Sequence, residues 1–173
     1  MNGLQLIATG GALPGRTVTN EELSRTVDTS DEWITTRTGI QTRHHCTTET
    51  HTDMCVGAAR QALENAGISP EDIGACVVAT FSSDYLSPSA ACMVQRGLGL
   101  PHDAVCFDLN AACSGFLFAI HTMECLLAQA PRKYGLVIGA EMLSRFSQLG
   151  GPGHLRPLRR RRRRCGGGVA GGR

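Results

Sequence analysis

Residues 74–81, Gly-Ala-Cys-Val-Val-Ala-Thr-Phe, hold the run that most restricts what this chain can become. From Ala75 to Ala79 every side chain is apolar, so a strand built from them has no polar face. Such a strand belongs in a sheet covered on both sides, the situation of parallel strands joined by helical crossovers. Residues 104–109 read as a short β-rich run and 134–140 as another buried strand. Between and before these runs lie segments with a helical period. Residues 52–66 repeat apolar positions at Cys55, Ala58, Ala59, Ala62, Leu63 and Ala66 and stop at Gly67. Residues 88–98 open with a proline in the first turn. Residues 116–128 are apolar nearly all round, which predicts a central, fully buried helix. Strands alternating with helices, with continuous rather than alternating hydrophobics, predict an α/β fold with a largely parallel core.

The N-terminal third gives weaker signals. Residues 4–9 form a short β-like run closed by Gly10-Gly11 and Pro14-Gly15. Thr19-Asn20-Glu21-Glu22 and Thr29-Ser30-Asp31-Glu32 each place a hydroxyl three residues before a Glu, the pattern of a capped helix start. The second of these helices carries Trp33 and Arg37 and ends at Gly39. Residues 41–46 read as a short strand and residues 69–72 as a turn or a short helix start. A dinucleotide-binding fold is disfavoured: residues 9–15 give no GxGxxG, and Pro14 sits where backbone donors are needed.

One cysteine stands apart. Cys113 falls between the strand-like residues 104–109 and the apolar helix, among Ala111, Ala112, Ser114 and Gly115. A thiol at a helix N-terminus meets unpaired N–H groups and the positive end of the dipole, which favour the thiolate that attacks carbonyls. The small neighbours leave room for a substrate. The competing reading is one more core cysteine, and spacing alone leaves the two open. Trp33 and Arg37, four apart on a helix, share a face and could hold a flat base and its phosphates. On residue type alone the plainer alternative is favoured: a tryptophan at the core edge with the arginine in water. His44, His45 and His51 have no common metal spacing and read as surface or loop.

Composition narrows the class. The chain has eight cysteines and no CxxC pair, so neither a zinc site nor a dithiol redox motif is expected. Most of the eight lie in apolar stretches, which reads as reduced thiols in a cytoplasmic protein. No signal peptide and no stretch of about 20 apolar residues is present, so no membrane partner is expected. The net charge of +2 hides an asymmetry. Eight of the seventeen Lys and Arg lie in residues 151–173, with none of the fifteen acids. Residues 1–150 therefore carry nine bases against fifteen acids, a net of −6, and the tail is strongly basic.

Three motifs, taken together, resemble the β-ketoacyl-acyl carrier protein synthase III family. They are residues 28–40 (Asp-Thr-Ser-Asp-Glu-Trp-Ile-Thr-Thr-Arg-Thr-Gly-Ile), 88–92 (Pro-Ser-Ala-Ala-Cys) and 107–116 (Phe-Asp-Leu-Asn-Ala-Ala-Cys-Ser-Gly-Phe). The likeness runs in order from about Leu4 to Phe146. It implies a thiolase-like layered fold, of which residues 1–150 are the N-terminal half (βαβαβ with a mixed, largely parallel sheet), and a homodimer in the full-length parent. It implies acyl transfer from acyl-CoA to Cys113 and condensation with malonyl-acyl carrier protein, the start of fatty acid or polyketide synthesis. By the same resemblance Thr29, Trp33 and Arg37 contact the CoA nucleotide, the backbone N–H of Cys113 contributes to an oxyanion hole, and Ser87 lines the acyl pocket across the dimer. No cofactor or metal is implied: acyl-CoA and malonyl-acyl carrier protein are substrates. The family's malonyl-binding His and Asn belong to its second half, and none of the six histidines here matches, so condensation by residues 1–173 is not expected.

Past residue 149 the resemblance stops. The family continues with Asp-Arg-Gly-Thr, a few apolar residues and Phe-Gly-Asp-Gly-Ala-Gly; this chain has Gly151-Pro152-Gly153-His154-Leu155-Arg156 and soon six consecutive arginines. GC-rich codons for residues 151–163, shifted by one base, read Asp-Arg-Gly-Thr-Cys-Val-Leu-Phe-Gly-Asp-Gly-Ala. The expectation is a frameshift near residues 149–151 and a disordered Arg/Gly-rich tail over 151–173. The rival reading is a non-enzymatic acidic α/β domain with a basic arm for nucleic acid or another polyanion. Against it, no aromatic is interleaved with the arginines. Loss of the second half also predicts exposed apolar surface and a tendency to aggregate.

Overall fold

The computed structural model describes residues 3–144. Its centre is β3 (Ile73–Ala79), seven residues that are all buried. It pairs in parallel with β4 (Val105–Leu109) on one side and β5 (Tyr134–Gly139) on the other, giving the order β4-β3-β5. The run without a polar face is thus the middle strand, as the sequence predicts. Burying a Val or Ile side chain contributes about 1.5–3 kcal/mol, so Ile73, Val77 and Val78, each at most 1% exposed, are a main source of sheet stability.

Helices cover both faces. α3 (His51–Ala66) and α4 (Ala90–Leu98) lie on one side, where Cys55, Ala59, Leu63, Ala91 and Val94 meet Cys76 and Val78. α5 (Gly115–Leu127) lies on the other, where Ala119 and Met123 meet Ala75, Val77 and Ala79. The alternation of β3 side chains sends even positions from 76 on to the first layer and odd ones from 75 on to the second. The chain steps from β3 to β4 in one direction and back past β3 to β5 in the other. A constant crossover hand then requires α4 and α5 on opposite faces. Caps end these helices where the sequence provides them: Thr50 and Asp53 form a reciprocal capping box on α3, and Gly67 closes it with φ 64°.

The N-terminal region is a separate small unit. β1 (Arg16–Thr19) pairs antiparallel with β2 (Thr42–His45), and between them run α1 (Asn20–Ser24) and α2 (Asp31–Thr38). Asn20 is 1% exposed and ties the unit together. Its amide donates to Asp31 Oδ1 at 2.7 Å and to the Ile40 carbonyl at 2.8 Å.

Several expectations are corrected. Residues 4–9 form no strand among the described residues: no strand there pairs with them, and Leu6 and Ile7 stand exposed. The cap of α2 is Ser30, one residue later than expected, whose hydroxyl accepts from the Trp33 N–H at 3.1 Å. Pro88 precedes the cap of α4, which is Ser89, so the helix starts at Ala90. His51 is neither surface nor loop: it is buried at the first turn of α3. α5 is not fully buried. Only Gly115, Ala119 and Met123 are buried, with Leu126 and Leu127 partly buried against the same cluster, while Phe116, Leu117 and Phe118 are exposed. An apolar circumference describes what a helix could bury, and the described chain supplies one surface for it. The arginine-rich tail lies outside the described residues.

Candidate functional site

Three parallel strands end at one edge of the sheet, so the segments that follow them gather there. The ladder runs on past the strand ends: the Thr80 N–H donates to the Leu109 carbonyl at 3.1 Å and the Ala140 N–H to the Ala79 carbonyl at 3.2 Å. Residues 80–89, 110–114 and 140–144 therefore start side by side. After β4 the chain passes through a 3-10 turn, Ala112–Ser114, straight into α5. Cys113 is the middle residue of that turn and is exposed. Its predecessor, Ala112, has φ 46°, the one non-glycine in the left-handed region among the described residues. Holding alanine there costs about 1–3 kcal/mol. The Ser114 N–H closes the turn on the Ala111 carbonyl at 3.1 Å. Gly115 is buried, and a Cβ on it would lie 3.4 Å from the Ala79 Cβ. The start of α5 is thus pressed onto the end of β3, and the tight corner turns Cys113 outward.

The other thiols divide by burial. Desolvation pushes Cys55 up to about 12 and Cys106 up to about 11, and raises Cys76 further still. Cys76 and Cys106 stand opposite one another on β3 and β4, inside the sheet. These three are neutral packing residues. Cys125, near the end of α5, is exposed like Cys113 but lies in the helix body, with no strained turn beside it.

Carboxylates hold the loops of this edge in place, and sequence reasoning missed them. Asp108, in β4, accepts from the N–H groups of Ala90 at 2.7 Å and Ala91 at 2.8 Å, the first turn of α4. Asp84 accepts from the N–H groups of His51 and Thr52 and from the Thr52 hydroxyl. Glu141 accepts from the Phe81 N–H at 3.1 Å and from the Ser82 hydroxyl. Buried His51 joins the set, its Nε2 3.1 Å from both Thr80 Oγ1 and the Ala140 carbonyl. Asp108 could have been found: it is the lone charge in an otherwise apolar strand. Ser87 lies in the exposed stretch 85–88, on the loop these carboxylates anchor, and its peptide bond to Pro88 is cis.

The remaining expected residues lie on the N-terminal unit. Trp33 is 54% exposed, which sets aside a tryptophan packed at the core edge. The Arg37 guanidinium lies over its ring, 5.0 Å from the centroid. Thr29, just before α2, has a buried hydroxyl oxygen with no hydrogen-bond partner among the described residues. A separate cleft of about 540 Å³ opens between residues 10–14, β2, α3 and the end of β5, with Leu13, Arg43, His51 and Met142 in its wall. Cys113 is not part of that lining. Among the described residues no three His, Cys, Asp or Glu side chains could hold a metal ion, and no helix is long and apolar enough to cross a membrane.

The family model for 3-oxoacyl-[acyl-carrier-protein (ACP)] synthase III matches residues 107–149. A β-ketoacyl-[acyl-carrier-protein] synthase III of Clostridium acetobutylicum is 46% identical over 146 residues, covering 84% of this chain and 45% of the relative. One from Rhizorhabdus wittichii is 49% identical over 142 residues, covering 82% and 44%. The crystal structure of 3-oxoacyl-[acyl-carrier-protein] synthase III from Aquifex aeolicus superimposes with a TM-score of 0.78 at 44% identity, over 83% of this chain and 46% of that one. The chain belongs to the β-ketoacyl-acyl carrier protein synthase III family. Its α/β architecture is the thiolase-like fold of synthase III, and the expectation from the three motifs holds. The stretch matched by the synthase III model includes the whole Cys113 corner. The chain spans a little under half the length of the synthase III relatives it matches. The priming β-ketosynthase of the R1128 polyketide pathway shares the fold too, at a TM-score of 0.73 and 34% identity.

Proposed function

We propose that this chain carries the acyl-accepting part of a β-ketoacyl-acyl carrier protein synthase III, with Cys113 as the nucleophile. The observation that carries the reading is the exposed thiol on the strained Ala112 turn, between the edge of the parallel sheet and the start of α5. The step is an exchange of one thioester for another. Cys113 Sγ bonds to the acyl carbon, the acyl–CoA sulfur bond breaks, and CoA leaves as a thiol with the proton that Cys113 gives up. The Cys113 backbone N–H stabilises the oxyanion formed on the way.

On this reading α2 holds the CoA nucleotide. Trp33 offers a flat face, Arg37 a guanidinium for phosphate, and Thr29 a hydroxyl that has no hydrogen-bond partner among the described residues. Ser87 lines the acyl pocket of the opposite subunit in a homodimer, which suits its place on an exposed loop. The acyl group then passes to malonyl-acyl carrier protein in a decarboxylative condensation. By the resemblance, the malonyl-binding His and Asn belong to the family's second half and match none of residues 1–173; what these residues carry is the acyl-transfer step. Release of free CoA from acyl-CoA tests the proposal. One equivalent per chain is expected from the wild type and none from Cys113→Ser. Equal release by both overturns it.

A further inference from the structure

We infer that Asp108 is a positioning residue for acyl transfer: it fixes the Ser87 loop, which on the proposed function lines the acyl pocket of the opposite subunit, relative to β4 and the Cys113 turn of its own subunit. The inference rests on the proposed acyl transfer and adds a residue to it. Asp108 lies in β4, the strand that leads directly into the Cys113 turn. Each of its carboxylate oxygens accepts one N–H of the first turn of α4: Oδ2 from Ala90 at 2.7 Å and Oδ1 from Ala91 at 2.8 Å. α4 begins where the loop that carries Ser87 ends. At its other end the same loop leaves β3, where the Thr80 N–H bonds to the Leu109 carbonyl. Both ends of the loop are therefore fastened to Asp108 or its immediate neighbour.

The geometry exceeds what a helix cap requires. α4 already has a cap of its own, the Ser89 hydroxyl, which accepts from the Cys92 N–H at 3.2 Å. A second, charged acceptor from a different strand adds little to starting the helix, but it fixes where the helix starts relative to β4. A carboxylate can take two convergent N–H donors at once; an amide of the same shape presents one acceptor and one clashing donor. Placement errors of about 1 Å in a site that aligns two reactants cost up to about a hundredfold in rate.

The experiment uses the full chain as wild type, Asp108→Asn, Ala90→Pro and Ser89→Ala. Ala90→Pro deletes one of the two donors at a helix position that accepts proline. Acyl loading of Cys113 is timed with acetyl-CoA and with hexanoyl-CoA, and alkylation of Cys113 by iodoacetamide is timed in parallel. Labelling of buried Cys76 in the same digest marks any variant that has unfolded. Asp108→Asn and Ala90→Pro are expected to lower loading by about tenfold or more and to change the hexanoyl-to-acetyl ratio, with alkylation within about twofold of wild type. Ser89→Ala, which removes the cap and keeps Asp108, is expected to leave loading and ratio within about twofold. Unchanged loading and ratio in a folded Asp108→Asn or Ala90→Pro overturns the inference, as does an equal loss in Ser89→Ala. A wild type that takes no acyl group at Cys113 overturns the proposed function itself, and is told apart by the failure lying in the unmutated chain.

Discussion

The Arg37 guanidinium sits over the indole of Trp33, 5.0 Å from the ring centroid, on a helix whose face is open to water. A cation–π pair at an exposed site contributes only about 0.5–1 kcal/mol. That is a small return for leaving so much aromatic surface exposed. On the proposed function the pair serves as a seat for the CoA nucleotide, with a ring to stack on and a charge to hold phosphate.

Trp33 is the only tryptophan, so its fluorescence reports that seat directly. Titration with CoA is expected to quench it saturably, and Arg37→Ala to weaken the apparent affinity by about three- to tenfold. Emission that does not change with CoA contradicts the assignment.

Gly10 is placed where no other residue fits. A Cβ there would lie 2.3 Å from the Ala58 carbonyl oxygen and 2.4 Å from the Ala62 nitrogen, both backbone atoms of α3. Gly10→Ala must lift the neighbouring segment off the helix, losing the Gly11 N–H to Gln61 bond at 2.7 Å and the Asn65 amide to Thr9 carbonyl bond at 2.9 Å. A loss of about 1–3 kcal/mol in urea unfolding is expected. A change below about 0.5 kcal/mol would show the close approach to be unimportant.

The buried thiols make stability depend on alkaline pH. Burial raises Cys55 from 9.0 to about 12 and Cys106 from 9.0 to about 11. A folded pKa above the unfolded one means that the unfolded chain gives up its proton first. The stabilisation is whole below pH 9.0 and is lost as pH rises toward the folded values. Urea midpoints under reducing conditions are expected to fall between about pH 8 and about pH 10.5, with a smaller fall in Cys55→Ala. A pH-independent midpoint in the wild type would contradict the burial of these groups.

The core was plain in the sequence because its physics is local. Five apolar residues in a row at 75–79, closed on both sides by polar or turn residues, fit a strand covered on both faces, and β3 is that strand. Cys113 could be placed because a strand, a few small residues and an apolar helix leave one site for a turn. What the turn costs could not be read, since Ala112 is an ordinary alanine until the fold forces its φ to 46°. Residues 4–9 misled for the opposite reason: a β-like pattern needs a neighbour, and Leu6 and Ile7 have none in the described chain. His51 and Glu141 could not be linked from sequence, because the contacts that bury one and engage the other come from residues about 30 to 90 positions away. Trp33 and Arg37 share a face as their spacing requires, but only the fold shows that face to be open.

The most direct test of the central claim is a peptide map of the full chain after brief exposure to acyl-CoA. Cys113 and Cys125 are the two exposed thiols among the described residues, so the map is a contest between them. The account predicts a hydroxylamine-labile acyl group on the Cys113 peptide, with Cys125 and the buried Cys55 and Cys76 unmodified. Acylation spread equally over Cys113 and Cys125, or absent from Cys113, would contradict it.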